Sequence, residues 1–523
     1  MSAFTRKALV ALLVLACSIF AWGCSAPASS SSSATSQQSS SAAGAYVAGT
    51  SFAPATETAI NDFIAAYGKS SPNWDGSAYV VSDFDNTTSI FDIANQCNVY
   101  QLMTMAFALD PAGLRTALAA SIDENAHDNA SWLDDIESAY RYLWETYGPF
   151  TPAGLDEQAQ AAIQADPQWM EFATKMKALH GHVEETIDDP TACEWVLHWY
   201  SGMTEGEVYD LYKRSCEKYC NTDTEPITWT SPESIASKVG VVSCEFPLGV
   251  SVPDEVKAML KAYSENGIDV WICSASHVDG VRAAVDVYGL GDYVCGVIGM
   301  TQKSEGGVYV PAYDWEAGYA QLNKGGGTWQ KTGDAIRALT SREGKVKAVE
   351  NALLPMYGRG PLAGFMDSSG DFNFCTEFDS MKLVICYNRA DRKITEGGGI
   401  VGVVAVYQQD SLGYDLARAN AAGDTYYVLQ GRDENGKRTL RPSNETVKLG
   451  QTTPQLFANA NNETLLDYLK ANNLTTADAF NTFAVRCEAT DPNNVLDVTY
   501  GYLAEYDGYH SHDGKATKLP LAA

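Results

Sequence analysis

Short apolar segments alternate with amphipathic segments along most of the region from Ser231 to Arg389. Apolar segments of this length predict buried strands. The segments between them have apolar residues three and four positions apart, which predicts helices. Strands that alternate with helices form βαβ units in a parallel sheet. The predicted strands are 239–246, 268–273, 293–298, 362–366 and 382–386, and the predicted helices are 254–264, 278–288 and 344–354. The sequence therefore predicts an α/β fold built on a parallel sheet.

A further strand, predicted over 77–82 after a helix at 58–67, runs directly into two aspartates, Asp83 and Asp85. Residues two apart on a strand face the same side, and α/β sheets bind ligands at the carboxyl ends of their strands. Two carboxylates that converge there supply half of a site for a hard cation such as Mg²⁺. An Asx turn or a helix N-cap after the strand would account for the same pattern.

The segment that begins at Asp83 also resembles the start of a calcium-binding EF-hand loop. That loop requires a glycine at its sixth position and a bidentate glutamate at its twelfth. Thr88 and Ala94 occupy these positions, so the EF-hand interpretation fails.

The short apolar strand Gly364-Phe365-Met366 repeats this arrangement, because it runs into Asp367 and Asp371. Two strands that each present acids at their carboxyl ends could close an oxygen cage around Mg²⁺. Between them lie Ser274, at the end of the apolar strand Val270 to Cys273, and Lys345, at the start of a helix. A serine at a strand end can donate to an anion, and a lysine at a helix start makes more sense if it faces one. An N-cap serine and a surface lysine are the alternatives.

The order of these elements, Asp-x-Asp-x-Thr, apolar-Ser, Gly-Lys and apolar-Asp-x-x-x-Asp, resembles the haloacid dehalogenase (HAD) superfamily over about 52–389. The resemblance implies a Rossmann-like sheet and a phosphatase mechanism. Asp83 would be the nucleophile that forms an aspartyl-phosphate, and Asp85 the general acid and base. Ser274 and Lys345 would hold the phosphoryl oxygens. Mg²⁺ would be held by Asp83, the backbone carbonyl of Asp85, and Asp367, with Asp371 as a supporting acid.

The stretch between Asp83 and Ser274 is far longer than a strand crossover requires, so it must contain a domain. Its pattern is helical from Gln101 to about Tyr219. In the HAD superfamily such an insertion is a C1 cap over the active site. Most of its aromatic residues are expected to pack in a core, although a few could form a cage for a quaternary ammonium group. They include Trp132, Tyr140, Trp144, Trp169, Trp195, Trp199 and Tyr200. The sequence Asp85-Asn86-Thr87-Thr88-Ser89 followed by Asp92, this cap and the export signal described next together resemble the secreted phosphorylcholine phosphatase branch.

The amino terminus has the pattern of a secretory signal: Arg6 and Lys7 precede an apolar stretch that ends at Gly23-Cys24. Gly23-Cys24 resembles a bacterial lipobox, which would lipidate Cys24 and anchor the protein on the outer face of the cytoplasmic membrane. Cleavage that releases a soluble protein is the alternative.

The net charge of −29 disfavours nucleic acid as a partner. It could instead attract a substrate with a cationic head group.

Beyond Gly397 the pattern predicts strands over 400–407 and 426–430 and a helix over 464–471, with a hairpin over 426–437. Other features carry little weight. Gly325-Gly326-Gly327 lacks the Lys-Ser/Thr of a phosphate loop, and the pairs His180/His182 and His510/His512 lie in polar segments expected to be exposed. Cys273 and Cys386, inside apolar segments, are expected to be buried thiols.

These patterns divide the chain into a signal (1–24), a flexible tether (25–50), a catalytic core (51–92 and 236–395), a helical cap (93–235) and a carboxyl-terminal α+β extension (396–523). The predicted protein is an exported Mg²⁺-dependent phosphomonoesterase that acts on a small phosphorylated substrate, with phosphocholine as one candidate. A membrane-tethered solute-binding lipoprotein without catalysis would have the same signal, tether and α/β pattern.

Overall fold

The computed structural model describes residues 45–479, with the exception of residues 188, 221, 324–326 and 395. The predicted signal, Cys24, most of the tether, most of the Gly325–Gly327 segment and the pair His510/His512 therefore lie outside the described residues. Within the described part of the chain, no helix is both long enough and apolar enough to cross a bilayer.

Fourteen strands are present in the described residues: β1 Tyr79–Ser82, β2 Glu225–Thr230, β3 Ser243–Leu248, β4 Asp269–His277, β5 Val294–Met300, β6 Gln302–Glu305, β7 Val308–Tyr313, β8 Ala320–Leu322, β9 Trp329–Lys331, β10 Ala363–Met366, β11 Leu383–Tyr387, β12 Tyr426–Gln430, β13 Arg432–Asp433 and β14 Thr439–Leu440.

The α-helices of the same residues are α1 Pro54–Tyr67, α2 Ile93–Thr104, α3 Pro111–Ala119, α4 Asn129–Tyr147, α5 Glu157–Gln164, α6 Pro167–Thr186, α7 Asp189–Trp195, α8 Glu205–Tyr219, α9 Asp254–Glu265, α10 Val278–Val287, α11 Glu343–Ala352, α12 Leu354–Tyr357, α13 Ser369–Thr376, α14 Gly397–Tyr407, α15 Leu416–Ala421 and α16 Ala460–Asn472. A 3₁₀ helix spans Val196–Tyr200, and single π-type turns span Phe84–Thr88 and Gln408–Leu412.

Eight strands form the main sheet in the order β12, β11, β10, β1, β4, β5, β8, β9. The first six are parallel to one another, and β8 and β9 are antiparallel additions at one edge. Val80 of β1 belongs to a core shared with α1, α9 and α10, whereas Val81 belongs to a second core shared with α11, α13 and α14. Because successive side chains alternate and both faces are covered, the strand must be apolar throughout. The predicted α/β fold with a parallel sheet is confirmed.

The long insertion after β1 is helical, as predicted. Helices α2 to α7 and the hairpin of β2 and β3 enclose an apolar core of their own. Six of the seven aromatic residues named above belong to this core or pack against it, and Tyr200 belongs to the core on the α1 face of the main sheet.

Two of the predicted strands are wrong in pairing or in type. The segment predicted as a sheet strand over 239–246 is a strand only from Ser243 onward. This strand, β3, pairs antiparallel with β2 and has exposed residues, as a central parallel strand would not. The segment 400–407 is helix α14. Its β-branched residues favour a strand, but a helix buried on every side is apolar all round and loses its periodic signal.

The main sheet also continues past residue 395, since β12 pairs in parallel with β11 and α14 packs against it. The predicted hairpin over 426–437 is therefore wrong at its start: Tyr426 to Gln430 lie in the main sheet, and the turn at Asn435 joins β13 to β14. His180 and His182 are half-buried on helix α6 and do not lie in a polar turn. Cys273 and Cys386 are buried free thiols, as expected.

Candidate active site

The candidate site lies at the carboxyl ends of three neighbouring strands. Strand β1 is flanked by β10 and β4, so Asp83, Asp367 and Ser274 emerge at the same edge of the sheet. The backbone N–H of Asp83 donates to the carbonyl of Phe365 at 3.1 Å, which fixes the register of the two acid-bearing strand ends. Parallel strands explain why residues so far apart in the sequence meet here.

Three buried carboxyl groups form a cluster at this edge. One oxygen from each of Asp83, Asp367 and Asp371 lies within 4.8 Å of the others. All three residues are buried. Asp371 lies in the first turn of α13, where the backbone N–H of Asp367 donates to its Oδ2 at 3.4 Å. Buried like charges at this separation require a cation or a bound proton to offset them.

Lys345 supplies one such cation. Its Nζ lies 2.6 Å from Oδ1 of Asp83 and 2.6 Å from Oδ1 of Asp371. The lysine is in the first turn of α11, where the helix dipole disfavours a positive charge. Burial on its own also disfavours the ammonium, but the carboxylates of Asp371 and Asp83 raise the pKa of Lys345 well above its usual value.

Lys345 alone does not balance Asp83 and Asp371, the two carboxyl groups that it contacts. Burial, followed by the charge of Asp371, raises the pKa of Asp83 well above its usual range despite Lys345. Burial likewise raises the pKa of Asp371 to about 6, against the opposing effect of Lys345. Two buried carboxyl groups with raised pKa values share this one ammonium, and a site lined by carboxylate oxygens in this way fits a hard divalent cation such as Mg²⁺.

Asp85 lies beside this cluster, and its carboxylate has separate partners. Its Oδ1 accepts from the backbone N–H of Ile93 at 2.7 Å, and its Oδ2 accepts from the hydroxyls of Ser276 at 2.6 Å and Ser274 at 3.3 Å. Burial, with a further contribution from Asp92, raises the pKa of Asp85 well above its usual range. A carboxyl group with a raised pKa can carry a proton near neutral pH, as a general acid must.

The loop that carries Asp85 is held in an unusual conformation. Asn86 has φ 62° and Phe91 has φ 69°, both in the left-handed region that non-glycine residues seldom adopt. The backbone N–H of Asn86 donates to the carbonyl of Phe91 at 3.2 Å, and the hydroxyl of Thr88 donates to the carbonyl of Asp83 at 2.7 Å. Thr88 is the residue after the Asp-x-Asp-x-Thr motif, and its hydrogen bond to Asp83 connects the loop to the end of β1.

The sequence analysis missed two side chains that contact the predicted site residues. Ser276 donates a shorter hydrogen bond to Asp85 than Ser274 does. Arg389, which follows β11, lies with Nη1 2.9 Å from Oδ2 of Asp367. Strand β11 lies beside β10, which carries Asp367 just after its end. A charged residue just after β11 could therefore have been recognised as a candidate for the same site. Ser274 itself is fully buried, and its Oγ accepts the N–H of Ser276.

A cavity of about 1190 Å³ opens above the carboxyl cluster, between the sheet edge, the cap and the segment after β13. Asp83, Asp85, Lys345, Asp367 and Asp371 line its floor, and two acids of the cap, Glu184 and Glu185, line its cap side. None of the seven cap aromatics, all within the described residues, lines this cavity. The aromatic cage considered from the sequence is therefore not formed by these residues, which pack inside the protein because apolar rings are stable in a core.

A protein from Anaerococcus prevotii, described as conserved and functionally unknown, has a similar structure. The match covers 77% of this chain and 99% of that chain, with 24% sequence identity and a TM-score of 0.60. A protein of unknown function from Bordetella pertussis Tohama I matches at 12% identity and a TM-score of 0.30, over 59% of this chain and 89% of that one. Cytosolic 5'-nucleotidase IIIB bound to cytidine matches at 12% identity and a TM-score of 0.24, over 81% of this chain and 93% of that one.

No protein-family model matches the sequence, and no curated protein matches it. The similarity to the Anaerococcus prevotii protein supports the fold. Fold and site together define an α/β protein with a parallel sheet, a helical cap and a buried carboxyl cluster below the cap. This architecture is compatible with the HAD superfamily.

Proposed function

We propose that the protein is a Mg²⁺-dependent phosphomonoester hydrolase. The observation that carries the proposal is the pairing of Lys345 with Asp83 and Asp371 inside a carboxyl cluster, at the strand ends where α/β proteins bind ligands. A solute-binding protein has no need for a buried nucleophile, a separately held acid and a cation at one position. Phosphoryl transfer needs all three.

In the proposed first step, a carboxylate oxygen of Asp83 attacks the phosphorus of the substrate. A bond forms between Asp83 and phosphorus, and the bond from phosphorus to the ester oxygen breaks. Asp85 gives its proton to the departing oxygen, which leaves as an alcohol. The ammonium of Lys345 offsets negative charge on the phosphoryl oxygens as it develops.

In the second step, Asp85 takes a proton from water, whose oxygen attacks the phosphorus of the aspartyl-phosphate. The bond to Asp83 breaks, phosphate leaves, and both aspartates return to their starting states. The carboxyl group of Asp85 is suited to both transfers, because its hydrogen bonds from Ser276 and Ile93 hold it in place while burial raises its pKa.

Asp83, Asp367 and the backbone carbonyl of Asp85 would hold the metal ion, with Asp371 in support. When bound, Mg²⁺ would neutralise carboxylate charge and polarise the phosphoryl group. Arg389 donates to Oδ2 of Asp367. The other oxygen of this carboxylate, Oδ1, lies 3.5 Å from the hydroxyl of Thr87. The arginine thus orients the carboxylate, as the surroundings of metal ligands commonly do.

For the substrate, we propose a small organic phosphate with a polar remainder. The cavity lining is rich in charged and polar groups; Glu184 and Glu185 line its cap side, and Asp92 lines it at the start of α2. These acids favour a substrate whose organic part carries a positive charge, and phosphocholine is the first compound to test. Its recognition would rely on carboxylates and not on the seven cap aromatics.

The test is a phosphatase assay over a panel of monoesters, with Mg²⁺ or EDTA, on the wild type and Asp83→Asn. Phosphate release that requires Mg²⁺ and is lost in the variant is the expected result. Asp286→Asn is the control, since Asp286 is an exposed acid on α10 that bonds Tyr209 and Trp329 away from the cavity. Equal turnover by the wild type and Asp83→Asn would refute the mechanism.

We further propose that the protein acts outside the cytoplasm, anchored through a lipid on Cys24. The proposal is supported by the basic, apolar and Gly23-Cys24 segments of the sequence. Labelling of producing cells with a fatty acid should mark the wild type and leave Cys24→Ser unmarked. A labelled Cys24→Ser protein, or an unlabelled wild type, would refute lipidation at this position.

A further inference from the structure

The segment that follows the main sheet reaches back to the loop between β1 and α2, which we call the Asp85 loop (residues 84–92). Arg432, the first residue of β13, is fully buried. Its Nη1 donates to the backbone carbonyl of Asn86 at 2.9 Å, and its Nη2 donates to Oδ1 of the same residue at 3.1 Å. One guanidinium thus donates hydrogen bonds to both the backbone and the side-chain oxygen of Asn86, the residue next to Asp85.

The guanidinium is fixed from its other side. Oε1 of Glu434, which is also buried, accepts from Nε of Arg432 at 3.1 Å and from its Nη2 at 2.7 Å. The backbone N–H of Arg432 donates to the hydroxyl of Thr446 at 3.1 Å. Two N–H groups that share one carboxylate oxygen restrict the planar guanidinium to one orientation, so that its remaining donors point at Asn86.

Arg432 contacts both strained positions of the Asp85 loop. Asn86 and Phe91 have left-handed φ values and are joined by a backbone hydrogen bond. The guanidinium carbon of Arg432 lies 6.0 Å from the centroid of the Phe91 ring, in a cation–π arrangement. Backbone strain of this kind persists only where surrounding contacts over-determine it. Arg432 supplies such contacts to both Asn86 and Phe91.

We propose that Arg432 is a positioning residue, which holds the Asp85 loop so that the carboxyl group of Asp85 meets the proton it transfers. Arg432 acts through Asn86 and does not touch the reacting atoms. The segment after β12 is thereby part of the active-site construction. The kinetic consequence rests on the proposed phosphatase function, whereas the structural consequence for the loop does not.

Arg432→Lys tests the kinetic consequence, because lysine keeps the charge beside Glu434 but cannot reach both acceptors of Asn86 in one plane. We expect kcat to fall by about tenfold to a hundredfold with KM nearly unchanged, since misplacement of a catalytic group affects the transition state more than substrate binding. A residue with only a structural role would lower the amount of folded enzyme and leave the turnover of the folded fraction unchanged.

Hydrogen exchange of the full chain tests the structural consequence without any substrate. Amides of the Asp85 loop should exchange about tenfold faster in Arg432→Lys, while those of β4 stay protected. Arg282→Lys is the matched control: its guanidinium also pairs with carboxylates, those of Glu205 and Asp279, and also lies over an aromatic ring, that of Tyr209, but these partners are not in the Asp85 loop.

Loop exchange and kcat that change no more in Arg432→Lys than in Arg282→Lys would overturn the inference. If the wild type hydrolyses no phosphomonoester, the proposed function fails, and the exchange comparison alone decides the role of Arg432 in holding the loop.

Discussion

Nζ of Lys345 lies 2.6 Å from Oδ1 of Asp83, so the first turn of α11 is tied to the end of β1 by a buried ion pair. The same ammonium is equally close to Asp371. This single ammonium offsets the charge of two buried carboxyl groups, so Lys345 is important for stability as well as for the proposed chemistry.

Lys345→Met should therefore lower both activity and stability. Loss of the cation should reduce kcat/KM by about 10²–10³-fold, as removal of a charge-stabilising donor commonly does. The free energy of unfolding should fall by about 3–5 kcal/mol at neutral pH, because two buried carboxyl groups lose their partner. Enzyme kinetics and urea unfolding measure the two effects.

The control for this variant is Lys347→Met, on the same helix. Lys347 pairs with Glu350 in a partly exposed position, so its loss should change stability by no more than about 0.5 kcal/mol. Equal effects of the two substitutions would contradict the role assigned to Lys345.

Asp85→Asn should separate the two chemical steps. The asparagine can retain the contacts to Ser276 and Ile93, but it cannot donate a proton to a leaving oxygen or take one from water. We expect kcat to fall by about 10²–10⁴-fold with an alkyl phosphate. With an aryl ester, whose leaving group needs no proton, the first step should continue while hydrolysis of the intermediate slows. Mass spectrometry should then detect phosphate on Asp83. Unchanged turnover of the alkyl phosphate would exclude Asp85 as the general acid.

Mg²⁺ should stabilise the wild type against thermal unfolding, because an ion that binds only the folded state shifts the equilibrium toward it. At about 100 times its dissociation constant the ion contributes roughly 2.7 kcal/mol. Asp367→Asn should lose most of this gain, and Glu350→Gln, which removes a charge on the outer side of α11, should keep it. A full Mg²⁺ shift in Asp367→Asn would place the ion elsewhere.

His277 should make stability depend on pH in a defined range. Burial lowers the pKa of His277 to about 4, against the opposing effect of Asp279, and Nδ1 accepts the backbone N–H of Asp279 at 3.1 Å. An unfolded histidine has a pKa of about 6.5. Between these values the unfolded chain binds a proton that the folded protein does not. The stabilising effect of a neutral His277 is therefore present above pH 6.5 and is lost as the pH falls toward 4.

The loss from this one residue amounts to about 3 kcal/mol across the whole range. His277→Asn keeps an acceptor for the helix start and does not titrate. Its unfolding free energy, measured by urea titration from pH 7 to pH 4, should fall less steeply than that of the wild type. Parallel curves for the two proteins would contradict the buried neutral histidine.

Several features of this protein follow from the sequence alone. The alternation of apolar and amphipathic segments determined the parallel sheet, because burial on both faces demands continuous apolar strands. The motifs at Asp83, Ser274, Lys345 and Asp367 indicated one site, because the carboxyl ends of parallel strands must share an edge. Both inferences rest on local patterns whose physical cause lies within a few residues.

Other features were decided only by the tertiary structure. Gly397–Tyr407 forms a helix because it is enclosed on all sides between the sheet and α16, and its apolar sequence fits a buried strand equally well. Arg389 reaches Asp367, and Arg432 reaches Asn86, through contacts between segments that are remote in sequence. Such contacts produce no recognisable pattern in the sequence. They depend on which helices and strands pack side by side and not on the residues that flank each side chain.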